Sequence, residues 1–233
     1  SYSNIIGKVT LYATTEKGYK NLTKLSSLSY LKNKDNNDPS CDINDLISNN
    51  EDLILLTGSY SNFFGKLFFS NKEKKIEILI EKLKICFNNR IYIEIQRHGE
   101  SQEKNYENFL LNISNIYDLP LIASQEVFYL DSSMAEAHDA LICIGEKQFI
   151  DDQNRFRYSQ HHYFRSQKEI EQLYNDIPEA LENNYDFPIR FSFKPKKSKP
   201  MLPSILNENK ISAVDQRTKF AKEGINIKLK NFI

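Results

Sequence analysis

Tryptophan is absent from the 233 residues, glycine occurs only 7 times, methionine twice and cysteine three times. With so little glycine, neither a G-x-x-x-x-G-K-[ST] nor a G-x-G-x-x-G phosphate loop can be found, and a P-loop NTPase or dinucleotide fold has no support. Cys41, Cys86 and Cys143 form no close pair, and their odd number argues against a disulfide framework. A reducing cytoplasm is the expected compartment. No stretch approaches the ~18 apolar residues of a membrane span, and the opening SYSNIIGKVTLYA lacks a basic segment followed by a long apolar core. Neither secretion nor membrane insertion is expected. Charge of one sign is also missing, because 31 Lys+Arg balance 31 Asp+Glu. No global field draws the chain to nucleic acid, so any DNA contact has to be local.

What is present suits a folded domain. A hydrophobic content of 40%, with 12% aromatic, supplies a sizeable core and excludes disorder as the main state. Four β-branched and aromatic runs read as buried strands: Val9–Ala13, Leu53–Thr57, Ile91–Ile95 and Leu121–Ala123. Three of them precede helical spacings, namely Tyr19/Leu22/Leu25/Leu28, Ile76/Leu79/Ile80/Leu83 and Tyr106/Phe109/Leu110/Ile113/Ile116. The strand runs are nearly continuous in apolar residues, which predicts parallel strands covered on both faces by helical crossovers, in an α/β layer or barrel. Lys32–Asn50 reads as a mobile surface excursion. Further on, Gln167–Asn184 is helical with a break at Asp176–Pro178 and a new start with Asp176 or Ile177 near its cap. Lys194–Pro203 holds three prolines and four lysines and is read as a connector. A last helix is expected after a Ser212 cap. The resulting domain boundaries are 1–193, 194–211 and 212–233, with the chain expected to be truncated at both ends.

In parallel α/β folds, ligand-binding groups cluster in loops at the carboxyl ends of strands. The third strand ends into Gln96-Arg97-His98-Gly99 and the fourth into Ser124-Gln125-Glu126. If the strands are neighbours, His98 and Glu126 share a rim, where imidazole and carboxylate would form a fragment of a metal or acid–base site. The plainer alternative is a loop histidine capping a turn and a solvated carboxylate. There is no H-x-H or H-E-x-x-H to complete a hydrolytic cluster. His138 is expected to pack within a helix, and the pair His161/His162 to point two ways. Cys143 should be a buried thiol. Asp151, Asp152, Arg155 and Arg157 form either an anion-binding or a self-satisfied charged loop. Lys194, Lys196, Lys197 and Lys199 could contact a DNA backbone or remain a solvated linker.

Several segments, taken in order, resemble the family C replicative DNA polymerase alpha subunits of bacteria. They are TLYATTEKGYKNLTKLSSLSY, DLILLTG, YIEIQRHG, DLPLIASQEVFYL, EAHDALICIGE, IDDQNRFRYS, YFRSQKEIEQLYNDIPEALENN and KPMLP, with RTKFAKEGI at the end. The resemblance implies a polymerase and histidinol phosphatase (PHP) domain, a distorted (β/α)7 barrel incomplete at its amino end, followed by the start of the polymerase region. It implies that His98 stands at a metal-ligand position and that Glu126 matches the Asp of a T-N-D-x-H-Y motif. Phe128 then replaces that motif's histidine, so the barrel metal site is expected to be degenerate, since a phenyl ring cannot coordinate. The implied activity is DNA-templated addition of deoxynucleotides with Mg2+ bound outside this chain. The implied partners are a primer-template, the proofreading exonuclease subunit and other replicase subunits. This fragment alone would be the scaffold and docking domain, and inactive. A free-standing PHP-type metal-dependent phosphoesterase is the alternative.

Overall fold

The structure, a computed structural model, describes residues 5–32, 39–197, 199–200 and 212–230. The chain divides into two units, Ser1–Pro195 and Lys196–Ile233. In the first, the order is β1 Thr10–Ala13, α1 Glu16–Lys32, α2 Ile43–Ser48, β2 Leu53–Leu56, α3 Phe63–Phe68, α4 Glu73–Phe87, β3 Ile91–Gln96, α5 Glu103–Tyr117, β4 Leu121–Ser124, α6 Ala135–Glu146, α7 Gln167–Leu173 and α8 Pro178–Asp186. The second unit carries α9, Ala213–Lys230. Its first turn is capped by Ser212, whose Oγ accepts the Asp215 N–H at 3.1 Å.

The strands form one sheet in the order β1-β2-β3-β4, giving a mixed α/β architecture. The pairs β2–β3 and β3–β4 are parallel, with Leu55 opposite Ile91 and Ile93 opposite Leu121. Period-2 alternation sends Leu53, Leu55, Ile91, Ile93 and Ile95 to one face, against Ile76, Leu79, Ile80, Leu83 and Phe87 of α4 and Leu110 and Ile113 of α5. Ile54, Leu56, Tyr92 and Ile122 face the other way, against Phe187 and Phe191.

Two expectations need correction. The first strand is antiparallel to β2, with Thr10 opposite Leu56. Its residues are half-buried, and Tyr12 is 41% exposed. An apolar run reports burial, not direction, and an edge strand on a parallel sheet commonly runs antiparallel. The expected excursion at Lys32–Asn50 contains α2, whose Leu46 is buried. Ile43, Leu46 and Ile47 at helical spacing explain it; residues 33–38 lie outside the described residues. The helical break falls at the expected place: α7 opens on a Ser166/Glu169 capping box, and α8 starts with Pro178 at its first turn.

The outer edge of β4 is paired by side chains. Asn184 accepts the Ala123 N–H at 3.1 Å and donates to the Ala123 carbonyl at 2.8 Å, and Asn183 donates to the Leu121 carbonyl at 2.7 Å. The Asn184 amide thus satisfies Ala123 as a neighbouring strand would. Asn184→Leu is expected to cost about 1–3 kcal/mol by leaving both backbone groups of buried Ala123 unpaired. A urea melt shifted by less than a quarter of that would refute the pairing.

Candidate functional site

The carboxyl ends of β3 and β4 stand side by side because the strands pair in parallel with Gln96 opposite Ser124. The loops after them meet at His98, which is only 2% exposed. The Glu126 backbone N–H donates to His98 Nε2 at 3.0 Å. On the other side of the ring, His98 Nδ1 lies 3.2 Å from Glu103 Oε1. A backbone amide can only donate and a carboxylate can only accept, so the ring is the neutral tautomer with its proton on Nδ1. Both ring nitrogens are therefore used inside the protein.

Glu103 opens α5 and gathers donors. Its carboxylate accepts the backbone N–H groups of His98, Gly99 and Glu100 at 2.8–3.2 Å. Burial pushes its pKa up, but the bonds from His98 and the neighbouring amides outweigh this and hold it below the ordinary value. The turn needs Gly99, whose φ of +76° is left-handed and whose added Cβ would sit 3.1 Å from the His161 ring.

Arg97, one residue earlier, uses all five of its donors. Nε and one Nη bind Glu107 at 2.8 and 2.7 Å, both Nη bind Asp176 at 2.6 and 2.8 Å, and one also reaches the Leu173 carbonyl at 2.6 Å. Its guanidinium lies 5.0 Å from the Tyr174 ring centroid and holds the Asp176 carboxyl below its usual range. The Tyr174 hydroxyl bridges the Ile95 and Ser124 carbonyls at 3.1 Å each, fastening β3, β4 and the α7–α8 break together.

A third segment closes the rim. Tyr129 bridges to Tyr163 in parallel sense, the Phe128 N–H donates to the His162 carbonyl at 2.9 Å, and His162 Nδ1 lies 3.1 Å from the Glu126 carbonyl oxygen. The His162 ring stacks flat on His98 with centroids 4.1 Å apart, Phe128 lies 5.1 Å from His162, and His138 lies 5.0 Å from Phe128. Burial, then the neighbouring His98, lowers the His162 pKa to about 4, so this imidazole is neutral at pH 7.

The structure thus brings His98 and Glu126 together, through the Glu126 backbone; the Glu126 side chain is exposed. It places Phe128 beside them, as the expected common rim requires. His161 is exposed and His162 buried, so that pair does point two ways. Cys143 is buried. Arg155 is paired bidentately with Asp139 and bonded to the Ile150 carbonyl, and Arg157 also reaches the Ile150 carbonyl, so both arginines bond to groups of the protein itself. Lys194, Lys196, Lys197 and Lys199 are exposed and outside regular structure.

Sequence reading missed Glu94, Glu100 and Glu103, and did not say which of His161 and His162 turns inward. Glu94 is 5% exposed on β3, where its carboxylate receives Gln96 Nε2 at 2.9 Å and the Ser124 hydroxyl, while Oε2 has no partner. A lone acid inside the apolar run IYIEIQ was a legible signal. Glu103 was legible too, as the first-turn acid of a helix. Nothing local singles out His162.

At the position where a PHP metal ligand is implied, the residues do not fit an ion. A metal on His98 Nε2 would displace the Glu126 amide, and the Phe128 ring offers no donor.

Residues 4–98 match the PHP domain model. Along nearly its whole length the chain is similar to proteins called DNA polymerase III subunit alpha. The one from Rickettsia conorii is 35% identical over 225 residues, covering 95% of this chain and 19% of the relative. That from Caulobacter vibrioides is 32% identical over 219 residues, 94% and 19% respectively, and that from Escherichia coli 31% over 222 residues, 95% and 19%. The chain therefore spans about a fifth of the length of the curated relatives it matches. Over nine-tenths of its residues the chain is thus similar to part of the DNA polymerase III alpha subunits, and within that length residues 4–98 match the PHP domain.

Proposed function

We propose that this chain is the PHP scaffold and docking region of a replicative DNA polymerase whose full-length form adds deoxynucleotides to a primer on a DNA template, using Mg2+ held outside this region. The observation that carries the reading is the similarity to DNA polymerase III alpha chains over 94–96% of the residues. The sheet is read as part of a distorted (β/α)7 barrel. Parallel β2, β3 and β4 in sequential order support this, since each link is the β-helix-β crossover such a barrel repeats. Residues 1–193 are the PHP domain, 194–211 a connector and 212–233 the start of the polymerase region. The region's partners are the exonuclease and other replicase subunits, and the compartment is the cytoplasm.

The barrel's ancestral metal site is read as degenerate. Support comes from His98, whose ring nitrogens are both committed, and from Phe128. A free-standing phosphoesterase would need that imidazole for its metal. Primer extension by the full-length protein tests the reading: Mg2+-dependent incorporation, with no phosphodiester hydrolysis that His98→Ala abolishes, is expected. Hydrolysis that disappears in that variant would favour the phosphoesterase instead.

The four lysines Lys194, Lys196, Lys197 and Lys199 are assigned to the DNA backbone. Replacing all four by Ala should weaken primer-template binding across all sequences and flatten its dependence on log salt by roughly 1 for each phosphate no longer neutralised. An unchanged salt slope would return them to a solvated linker.

A further inference from the structure

The zero net charge of the whole chain hides a strong segregation. Lys196–Ile233 carries 9 Lys or Arg against 3 Asp or Glu, while Ser1–Pro195 carries 22 against 28. The second unit is therefore a short basic segment joined to an acidic domain, and a sign asymmetry of that size marks the basic part for a polyanion. The connector lysines account for only part of it, since 5 of the cations lie on α9.

On α9 the acids are already in use. Asp215 accepts the Ser212 hydroxyl at 2.6 Å in the amino-terminal cap, and Glu223 pairs with Lys219 at 4.0 Å. Among the described residues, Arg217 and Lys228 enter no ion pair. They end the line Arg217, Ala221, Gly224 and Lys228, whose spacing of helical turns puts all four on one face. About 16 Å separates the two cations along the axis, at ~1.5 Å per residue, and only a methyl group and a hydrogen lie between them. Glycine is disfavoured in a helix interior, yet a Cβ added at Gly224 would meet nothing within 4 Å. No contact among the described residues calls for it. A helix bare at that point admits close approach from outside, and the cations at either end select a negatively charged neighbour. Val214, Ile225 and Leu229 fall on the adjoining face and are exposed. Resting that face on protein would leave Arg217 and Lys228 at its border, with stems long enough to reach past it.

We propose that α9 lies along double-stranded DNA, with Arg217 and Lys228 on phosphates and Ala221 and Gly224 against the sugar-phosphate backbone between them. Contact of this kind needs mobile cations and room, not base-reading geometry, so it is independent of DNA sequence. The inference rests on the polymerase reading for its choice of polyanion, and it extends the DNA contact from the connector to the helix that follows.

Fluorescence anisotropy of the full-length protein on a labelled primer-template, across about 50–300 mM KCl, tests it. Arg217→Gln with Lys228→Gln removes both charges and keeps polar side chains. The expected result is roughly tenfold weaker binding at about 100 mM KCl and a slope of log affinity against log salt shallower by roughly 2. Arg217→Lys with Lys228→Arg keeps the charges and should keep the slope. Gly224→Leu should weaken binding at least about threefold although leucine favours the helix. Lys219→Gln, on another face and already paired with Glu223, should leave the slope unchanged. The proposal is overturned if the double Gln variant keeps the wild-type slope, if Lys219→Gln or the charge-conserving pair flattens it as much, or if Gly224→Leu binds as tightly as wild type. It is also overturned if poly-glutamate displaces the labelled DNA as well, charge for charge, as unlabelled duplex does, which would point to an acidic protein surface instead. Primer extension by the wild-type protein separates the two readings: no extension sinks the polymerase reading, whereas extension with an unchanged slope in the double Gln variant sinks only the placement on α9.

Discussion

Arg97→Ala is expected to destabilise the first unit by about 3–5 kcal/mol, more than any other single change at the rim. The reason is the partner left behind. Glu107 is 8% exposed and its carboxylate is bound by two Arg97 nitrogens, so removing the guanidinium strands a charge that water cannot reach. Asp176 matters less, because its side chain is 59% exposed and can be solvated where it stands. Arg97→Lys should recover only part of the loss: an ammonium restores the charge but cannot bind two carboxylates and the Leu173 carbonyl in one plane. Arg97→Ala with Glu107→Gln should be less destabilised than Arg97→Ala alone, since the stranded charge is gone. Urea denaturation of the four proteins measures this. Equal losses in the single and double variants would show that packing against Tyr174, not charge, dominates.

His98→Ala should cost about 2–4 kcal/mol and loosen one particular loop. The change removes both ring hydrogen bonds and opens a void beneath the stacked His162 ring. The Glu126 N–H loses its acceptor, so its hydrogen exchange should accelerate well beyond that of Ile93 or Ile122 in the paired strands. Glu103 should remain in place, because backbone amides still hold it. If Glu126 exchange were unchanged, the ring would not be what joins the two loops. The two variants act on neighbouring residues in opposite directions: Arg97 ties the rim to the α7–α8 break, and His98 ties it to the loop after β4.

Much of this organisation was legible in the chain. The four apolar runs became four strands because continuous Leu and Ile at β2 and β3 have no solvated face to offer, and both are buried on two sides. The spacing Ile76/Leu79/Ile80/Leu83 became the buried stripe of α4. Proximity of His98 and Glu126 followed from their strands being parallel neighbours. The direction of β1 did not follow, because an edge strand satisfies the same periodicity either way. Nor did His162, where a histidine pair in an aromatic, charged segment carries no period that says which ring turns inward.

Local chemistry within the sequence determined the helices, their starts at Ser166, Pro178 and Ser212 and the buried character of the central strands. These depend on spacings of a few residues, over which backbone geometry is repetitive. Tertiary structure decided which nitrogen of His98 is protonated, that Asn184 stands in for a missing strand, and that His162 rather than His161 is buried. Those outcomes depend on groups far apart along the chain meeting to within tenths of an ångström, and hydrogen bonding at that range follows from packing rather than from composition.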